Sequence, residues 1–322
     1  MESKGKFSAK PFLKWAGGKK QLLPEIKKRY PTDLGDEDSF RKYCEPFVGG
    51  GAVLFSILSK YKFEEVLIND INSELVNTYT QIRDNVSTLI SKLEEIESEY
   101  LPLPKQNRSL FYSDKRKRFN ELKQDNNQNH VERASLFIFL NRTCFNGLFR
   151  VNSKGEFNVP MGSYANPKIC DKEVLIIDSK LLNNVKINHG SYSDCFDFID
   201  SKTFVYLDPP YRPLSATASF TSYTEDSFND SDQIELGRFV EGIANKGAKF
   251  MLSNSDPRNS DPSDMFFDEI YSKFDIARVD AKRMINCDGK NRGNVKEILV
   301  TNYEIIKKKN AQKTMSQWSL EE

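Results

Sequence analysis

The sequence predicts an α/β fold, a doubly wound and largely parallel sheet interrupted by a mainly helical insertion. Two observations predict it. Short apolar runs recur at Lys42 to Phe47, Val66 to Ile68 and Thr203 to Leu207, each followed by a glycine turn or a carboxylate. That is the pattern of buried strands whose carboxyl ends face a ligand crevice. Between about residues 73 and 170 the alternation stops, and charged sequence with helical periodicity replaces it.

In chain order, Pro11 to Leu23 (PFLKWAGGKKQLL) sets a Gly-Gly turn before a helix-like run through Ile26. Lys42 to Phe47 reads as a strand, Gly49-Gly50-Gly51 as a turn, and Ala52-Val53-Leu54-Phe55 with Ile57 and Leu58 as a helix. Val66-Leu67-Ile68 is a short buried strand ending in Asn69-Asp70. The three form a β-α-β unit, which implies parallel pairing and a right-handed crossover. In the insertion, Leu89, Ile90, Leu93 and Ile96 fall at helical spacing, 100–108 breaks the pattern, and Lys115-Arg116-Lys117-Arg118 is a dense basic run. Phe145 to Pro160 reads as a turn-rich hairpin with Lys154-Gly155 at its tip. Strands resume at Val185 to Ile187, Thr203 to Leu207, Lys249 to Leu252 and Glu297 to Thr301. The expected division is a catalytic and cofactor-binding domain at 1–72 and 171–308, an inserted domain at 73–170, and a solvated tail at 309–322.

The chain has 322 residues, with 47 Lys and Arg against 46 Asp and Glu. A formal charge of +1 excludes a uniformly basic nucleic-acid coat and a disordered polyanion, so any basic surface is local. No apolar run approaches the roughly 20 residues that span a bilayer, and the polar N-terminus lacks the apolar core of a signal peptide. Five scattered cysteines without a CxxC pair, and only two histidines, argue against a disulfide framework or a metal site. They favour a reducing, cytoplasmic setting.

Three features fall at strand ends: Gly49-Gly50-Gly51, Asp70 and Asp208. Glycine lets backbone approach a ligand closely, and a carboxylate after the second strand can accept from ribose hydroxyls. The dinucleotide pattern G-x-G-x-x-G wants a third glycine, and Leu54 stands there. That suits a nucleoside without a pyrophosphate, such as S-adenosylmethionine. A plain structural turn is the alternative reading.

Asp208-Pro209-Pro210-Tyr211 follows an apolar strand directly. The prolines fix φ and supply no N–H, leaving only carbonyl acceptors beside the carboxylate. An exocyclic amine needs such a corner, and Tyr211 offers a face on which a planar base can stack. The amine lone pair is delocalised into its ring, so hydrogen bonds from the amine to Asp208 and to a proline carbonyl would favour pyramidal nitrogen and stabilise its developing positive charge.

Taken together, PFLKWAGGKKQLL, CEPFVGGGAVLF, LINDIN, LDPPY and SNSD resemble, in order and spacing, the Dam-type DNA adenine methyltransferases over roughly Phe12 to Tyr303. The resemblance implies a Rossmann-like class I methyltransferase sheet whose insertion is a target-recognition domain carrying the hairpin. It implies methyl transfer from S-adenosyl-L-methionine to N6 of adenine in double-stranded DNA. Asp208, Pro209, Pro210 and Tyr211 match the catalytic corner. Trp15, Lys19, Phe47, Gly49, Gly51, Asp70 and Asp208 match cofactor positions, and Tyr192, Ser193 and Asp194 fall near the cofactor adenine.

The target amine lies inside a duplex, so the base must be flipped out at a cost of a few kcal/mol. By the resemblance, Phe145 wedges between bases, Asn146 meets the orphaned base, Leu148 and Pro160 touch a thymine methyl, and Arg150 grips a guanine. Lys14 matches a second guanine-contacting position, and Asn152 belongs to the same hairpin. These residue types suit GATC. Phe145 stands where some relatives carry Tyr, and Ser163 where some carry a basic residue. Arg116 and Arg118, with Arg283, Lys290 and Arg292, are candidate phosphate contacts. Other readings stay open at this point: an RNA or glutamine-amide acceptor, a DNA-binding module without catalysis, and an NAD dehydrogenase. A solitary monomer and a partner of a restriction endonuclease are both compatible with the residues.

Overall fold

The computed structural model describes residues 8–124, 129–212, 228–281 and 295–305. Arg283, Lys290, Arg292 and the tail at 309–322 lie outside them. Among the described residues, a seven-stranded mixed sheet has the order β3-β2-β1-β4-β5-β7-β6. Its strands are β1 Lys42–Glu45, β2 Glu65–Asp70, β3 Val185–His189, β4 Thr203–Leu207, β5 Lys249–Ser255, β6 Asp275–Ala281 and β7 Val295–Thr301. β1 to β5 pair in parallel, whereas β7 runs antiparallel to β5 and to β6.

The helices are α1 Leu23–Lys27, α2 Ala52–Leu58, α3 Ser73–Asp84, α4 Val86–Tyr100, α5 Lys105–Gln124, α6 His130–Thr143, α7 Lys172–Leu182, α8 Asp230–Asn245 and α9 Phe266–Ile270. Alternate strand residues feed two cores. Tyr43, Ile68, Phe204, Tyr206 and Met251 face the layer that includes α2, α3 and α7. Cys44, Val205, Leu207, Phe250 and Leu252 face Leu236, Val240 and Ile243 of α8. β4 is buried at every residue, as expected for a parallel strand covered on both faces.

The first core runs without a break from the sheet into α4, α5 and α6. In α6, Ala134 to Asn141 is buried on all sides because α3, α4 and α5 pack around it. That packing accounts for a helix without a polar face. β6 was not anticipated. It is half exposed along most of its length, so it lacks the apolar run that marked its neighbours. The expected hairpin differs in detail. Among the described residues, 144–161 makes two isolated antiparallel bridges, Cys144 with Met161 and Val151 with Phe157, and no continuous ladder. A 3-10 turn at Phe145–Gly147 and the absent N–H of Pro160 interrupt the pairing.

Candidate active site

The chain order switches direction about β1, which lies between β2 and β4. The loops after β1 and β4 therefore open into one crevice, and the sequence places the glycine turn on one and Asp208-Pro209-Pro210-Tyr211 on the other.

Asp208 emerges where buried β4 ends. Its Oδ1 accepts from Lys19 Nζ at 2.8 Å and from Ser253 Oγ at 3.0 Å. Ser253 Oγ in turn lies 2.9 Å from the Tyr206 hydroxyl. Burial pushes the Asp208 carboxyl above its ordinary value, and the Lys19 charge pulls it back. Lys19 is only 5% exposed. Its ammonium also donates to Gly17 O at 2.9 Å and lies 4.4 Å from the Tyr211 ring centroid. The Tyr211 hydroxyl donates to Glu297 Oε2 at 2.5 Å, so the ring is held at its edge and over its face.

The proline carbonyls are not equivalent. Buried Gln233, on α8, donates Nε2 to Pro210 O at 3.0 Å, and Asn254 Nδ2 donates to Gln233 Oε1 at 3.2 Å. A carbonyl already engaged by an amide is the poorer acceptor for a ligand. Pro209 therefore offers the better carbonyl. Sequence reasoning missed Gln233, Ser253, Asn254 and Glu297 as supports. Ser253 and Asn254 stood in the SNSD motif without a role, and nothing local marked Gln233.

On the glycine side, Gly49 and Gly51 have φ of +48° and +74°, the left-handed region that favours glycine. A Cβ at Gly51 would collide with the Tyr79 hydroxyl, and one at Gly50 would sit 2.9 Å from Trp15 Cβ. Trp15 thus lies against the turn, and its ring stacks on Phe149 with centroids 5.8 Å apart. The Asp70 carboxylate is fixed by Gly49 N at 2.9 Å and Asn72 N at 2.9 Å. Burial raises its pKa, and these backbone donors oppose the rise. Phe47 and Tyr192 pack with centroids 5.2 Å apart, and burial pushes the Tyr192 hydroxyl up to about 12. Asp194 is exposed and packs against Gly190, where a Cβ would collide with its carboxylate. Ser193 is exposed, with its hydroxyl 2.8 Å from that of Ser191.

One buried carboxyl was overlooked. Glu45, at the end of β1, accepts from the Tyr43 hydroxyl at 2.6 Å. Burial holds it well above the usual carboxylate range, and Asp208 and Asp70 push it further. Glu45 is therefore a neutral acid beneath the crevice floor, hydrogen-bonded within β1.

The other predicted residues gather along a separate edge. Phe145 is 53% exposed and Asn146 has φ 54° and ψ 14°, a left-handed backbone uncommon outside glycine. Phe145 N donates to Pro160 O at 2.9 Å, which joins the two ends of the segment. Leu148 is half-buried, Arg150 is exposed, and Pro160 and Ser163 are exposed. Arg150 Nε donates to Asn158 Oδ1 at 2.7 Å, which aims the guanidinium. The Lys14 ammonium rests 3.9 Å from the Tyr164 ring centroid.

Two of the expected contact residues also have partners within the protein. Asn152 donates to Glu156 Oε2 at 2.9 Å and accepts from the Lys154 and Glu156 amides at 2.9 and 3.0 Å, so its side chain builds the tip turn. Arg118 pairs with both oxygens of Glu132 at 2.8 and 3.1 Å. Arg116 is half-buried, with Nη1 3.4 Å from Val159 O.

A family model described as D12 class N6 adenine-specific DNA methyltransferase matches residues 15–285. The type II methyltransferase M.MjaIII of Methanocaldococcus jannaschii is 50% identical over 295 residues, covering 91% of this chain and 99% of that protein. The type II methyltransferase M1.LlaDCHI of Lactococcus lactis is 40% identical over 302 residues, with 93% and 98% covered. The DNA adenine methylase of Escherichia coli is 34% identical over 288 residues, with 89% and 93% covered. These matches span the crevice, the acceptor corner and the exposed edge alike, and the chain belongs to the D12 class of N6 adenine-specific DNA methyltransferases.

Proposed function

We propose that the enzyme uses S-adenosyl-L-methionine to methylate N6 of a flipped-out adenine within GATC in double-stranded DNA. The observation that carries this reading is the bridge made by Trp15 and Lys19. Trp15 lies on the glycine turn, and four residues later the Lys19 ammonium binds Asp208. One short segment thus joins the cofactor crevice to the acceptor corner.

The crevice residues fit the cofactor. The close approach allowed by Gly49 to Gly51 suits an unphosphorylated nucleoside, Asp70 suits a ribose, and Phe47 with Tyr192 forms an aromatic wall for adenine. The acid groups Asp70 and Asp208 suit a sulfonium. When bound, the cofactor supplies an activated methyl group. Asp208 Oδ2 and Pro209 O would accept from the two amine hydrogens, leaving the nitrogen lone pair free to take the methyl group. Lys19 would keep Asp208 ionised, and that carboxylate would stabilise positive charge on the nitrogen as the methyl–sulfur bond breaks, until the nitrogen loses a proton to solvent. Tyr211 stacks on the flipped base and fixes its plane.

Residues 73–170 act as the target-recognition part, although α3 at its start also packs on β2, β3 and α7. The exposed edge supports the assignment: Phe145 wedges, Asn146 meets the orphaned base, Leu148 and Pro160 contact a thymine methyl, and Arg150 and Lys14 each read a guanine. Asn152 and Arg118 shape the protein rather than touch bases. The names of the type II relatives favour a companion endonuclease acting on the same site. Incubating plasmid with the protein and labelled S-adenosylmethionine, then digesting with methylation-sensitive nucleases, tests the reading. Label at N6 of GATC adenine is expected, and unlabelled DNA would overturn it.

A further inference from the structure

Asn141 lies in the last turn of α6 and is 2% exposed. Its Oδ1 accepts from Lys14 N at 2.8 Å. Its Nδ2 donates to Lys14 O at 2.7 Å and to Gly147 O at 2.9 Å. Both amide hydrogens and the oxygen are therefore engaged. The amide pairs with both backbone groups of Lys14 while gripping the loop that carries Phe145 and Asn146.

Nothing local sets the distance between these partners, because Lys14 and Asn141 are 127 residues apart in sequence. Packing reinforces the join. Gly147 has φ +65°, and a Cβ there would lie 2.6 Å from Lys14 Cβ. Neighbouring Arg142 donates to Phe12 O at 2.7 Å, so the end of α6 grips the N-terminal segment at two points.

We propose that Asn141 is the positioning residue for target discrimination, setting the spacing between Lys14 and the loop at 145–150 so that both address one duplex in register. The inference rests on the DNA-reading roles proposed above for Lys14 and Arg150. The position requires an amide, since the side chain must accept once and donate twice. Aspartate supplies neither donor, and its charge would face two carbonyl oxygens.

The test uses the full chain as wild type, Asn141→Ala, Asn141→Asp and Gly147→Ala. Single-strand methylation rates are measured on GATC duplexes and on duplexes altered at the pair read by Lys14 or at the pair read by Arg150. In Asn141→Ala and Gly147→Ala, discrimination at the Lys14 pair should fall about 10-fold, and at the Arg150 pair by less than about threefold. Asn141→Asp should behave as the alanine variant does, and cofactor affinity measured by calorimetry should stay within about twofold of wild type. Unchanged discrimination at the Lys14 pair, or an equal loss at both pairs, overturns the positioning role. If Asn141→Ala does not fold, Asn141→Asp, which keeps the side-chain volume but removes both donors, decides on the same two criteria. A wild type that methylates no GATC duplex overturns the reading of the site and the inference with it. A wild type that does so, paired with variants that discriminate normally, overturns the inference alone.

Discussion

The acceptor corner and the exposed edge are built on opposite plans. At the corner each working group is held by another: Asp208 by Lys19 and Ser253, Tyr211 by Glu297, and Pro210 by Gln233. At the edge, Phe145 and Arg150 project outward, and the order lies behind them in Asn141 and Asn158. Chemistry on one amine needs acceptors that do not reorganise during reaction. Reading a duplex needs side chains that reach into solvent, on a backbone that does not drift. The contrast predicts that corner variants lose rate while edge variants lose selectivity.

The largest effect should come from Asp208→Ala. Single-turnover methylation should slow by about 10³-fold or more, while DNA affinity measured by fluorescence anisotropy is largely kept. Comparable loss of DNA binding would dissolve the contrast. Gln233→Ala should release the Pro210 carbonyl and lower kcat by roughly 10–100-fold, with cofactor affinity unchanged. A normal kcat there would mean that the corner does not depend on its supports.

At the edge, Arg150→Ala should cost about 1–3 kcal/mol of discrimination at one guanine, with kcat on GATC preserved. Rates on duplexes altered at that pair measure it. The pH dependence sharpens the corner's side of the comparison. In the proposed mechanism Asp208 accepts the amine only when ionised, and burial raises its pKa, so activity should fall as pH drops through a value above the ordinary carboxylate range. Lys19 opposes that rise, so in Lys19→Met the acid limb of the kcat profile should move to higher pH. An unmoved limb would separate Lys19 from the titrating group. The smallest effect is expected from Arg118→Gln. Because Arg118 is spent on Glu132, the slope of log affinity against log salt should change by much less than the roughly 0.9 expected for one lost phosphate contact.

Much of this molecule could be read from local patterns. Six of the seven described strands were legible as short apolar runs, most plainly β4, since a parallel strand covered on both faces must be apolar along its length. Gly49 to Gly51 and Asp208 to Tyr211 were visible for a similar reason, since their backbone demands are met within a few residues. β6 escaped because it is half exposed and carries no such run. The supports escaped for a different reason. Lys19 with Asp208, Gln233 with Pro210, and Asn141 with Lys14 are pairings between distant stretches, and each becomes defined only when the sheet and α6 close around them. The same closure gives Asn152 a turn to build and Arg118 an ion-pair partner in Glu132. A residue's type announces what it can donate or accept, whereas its partner is chosen by which distant groups share its burial.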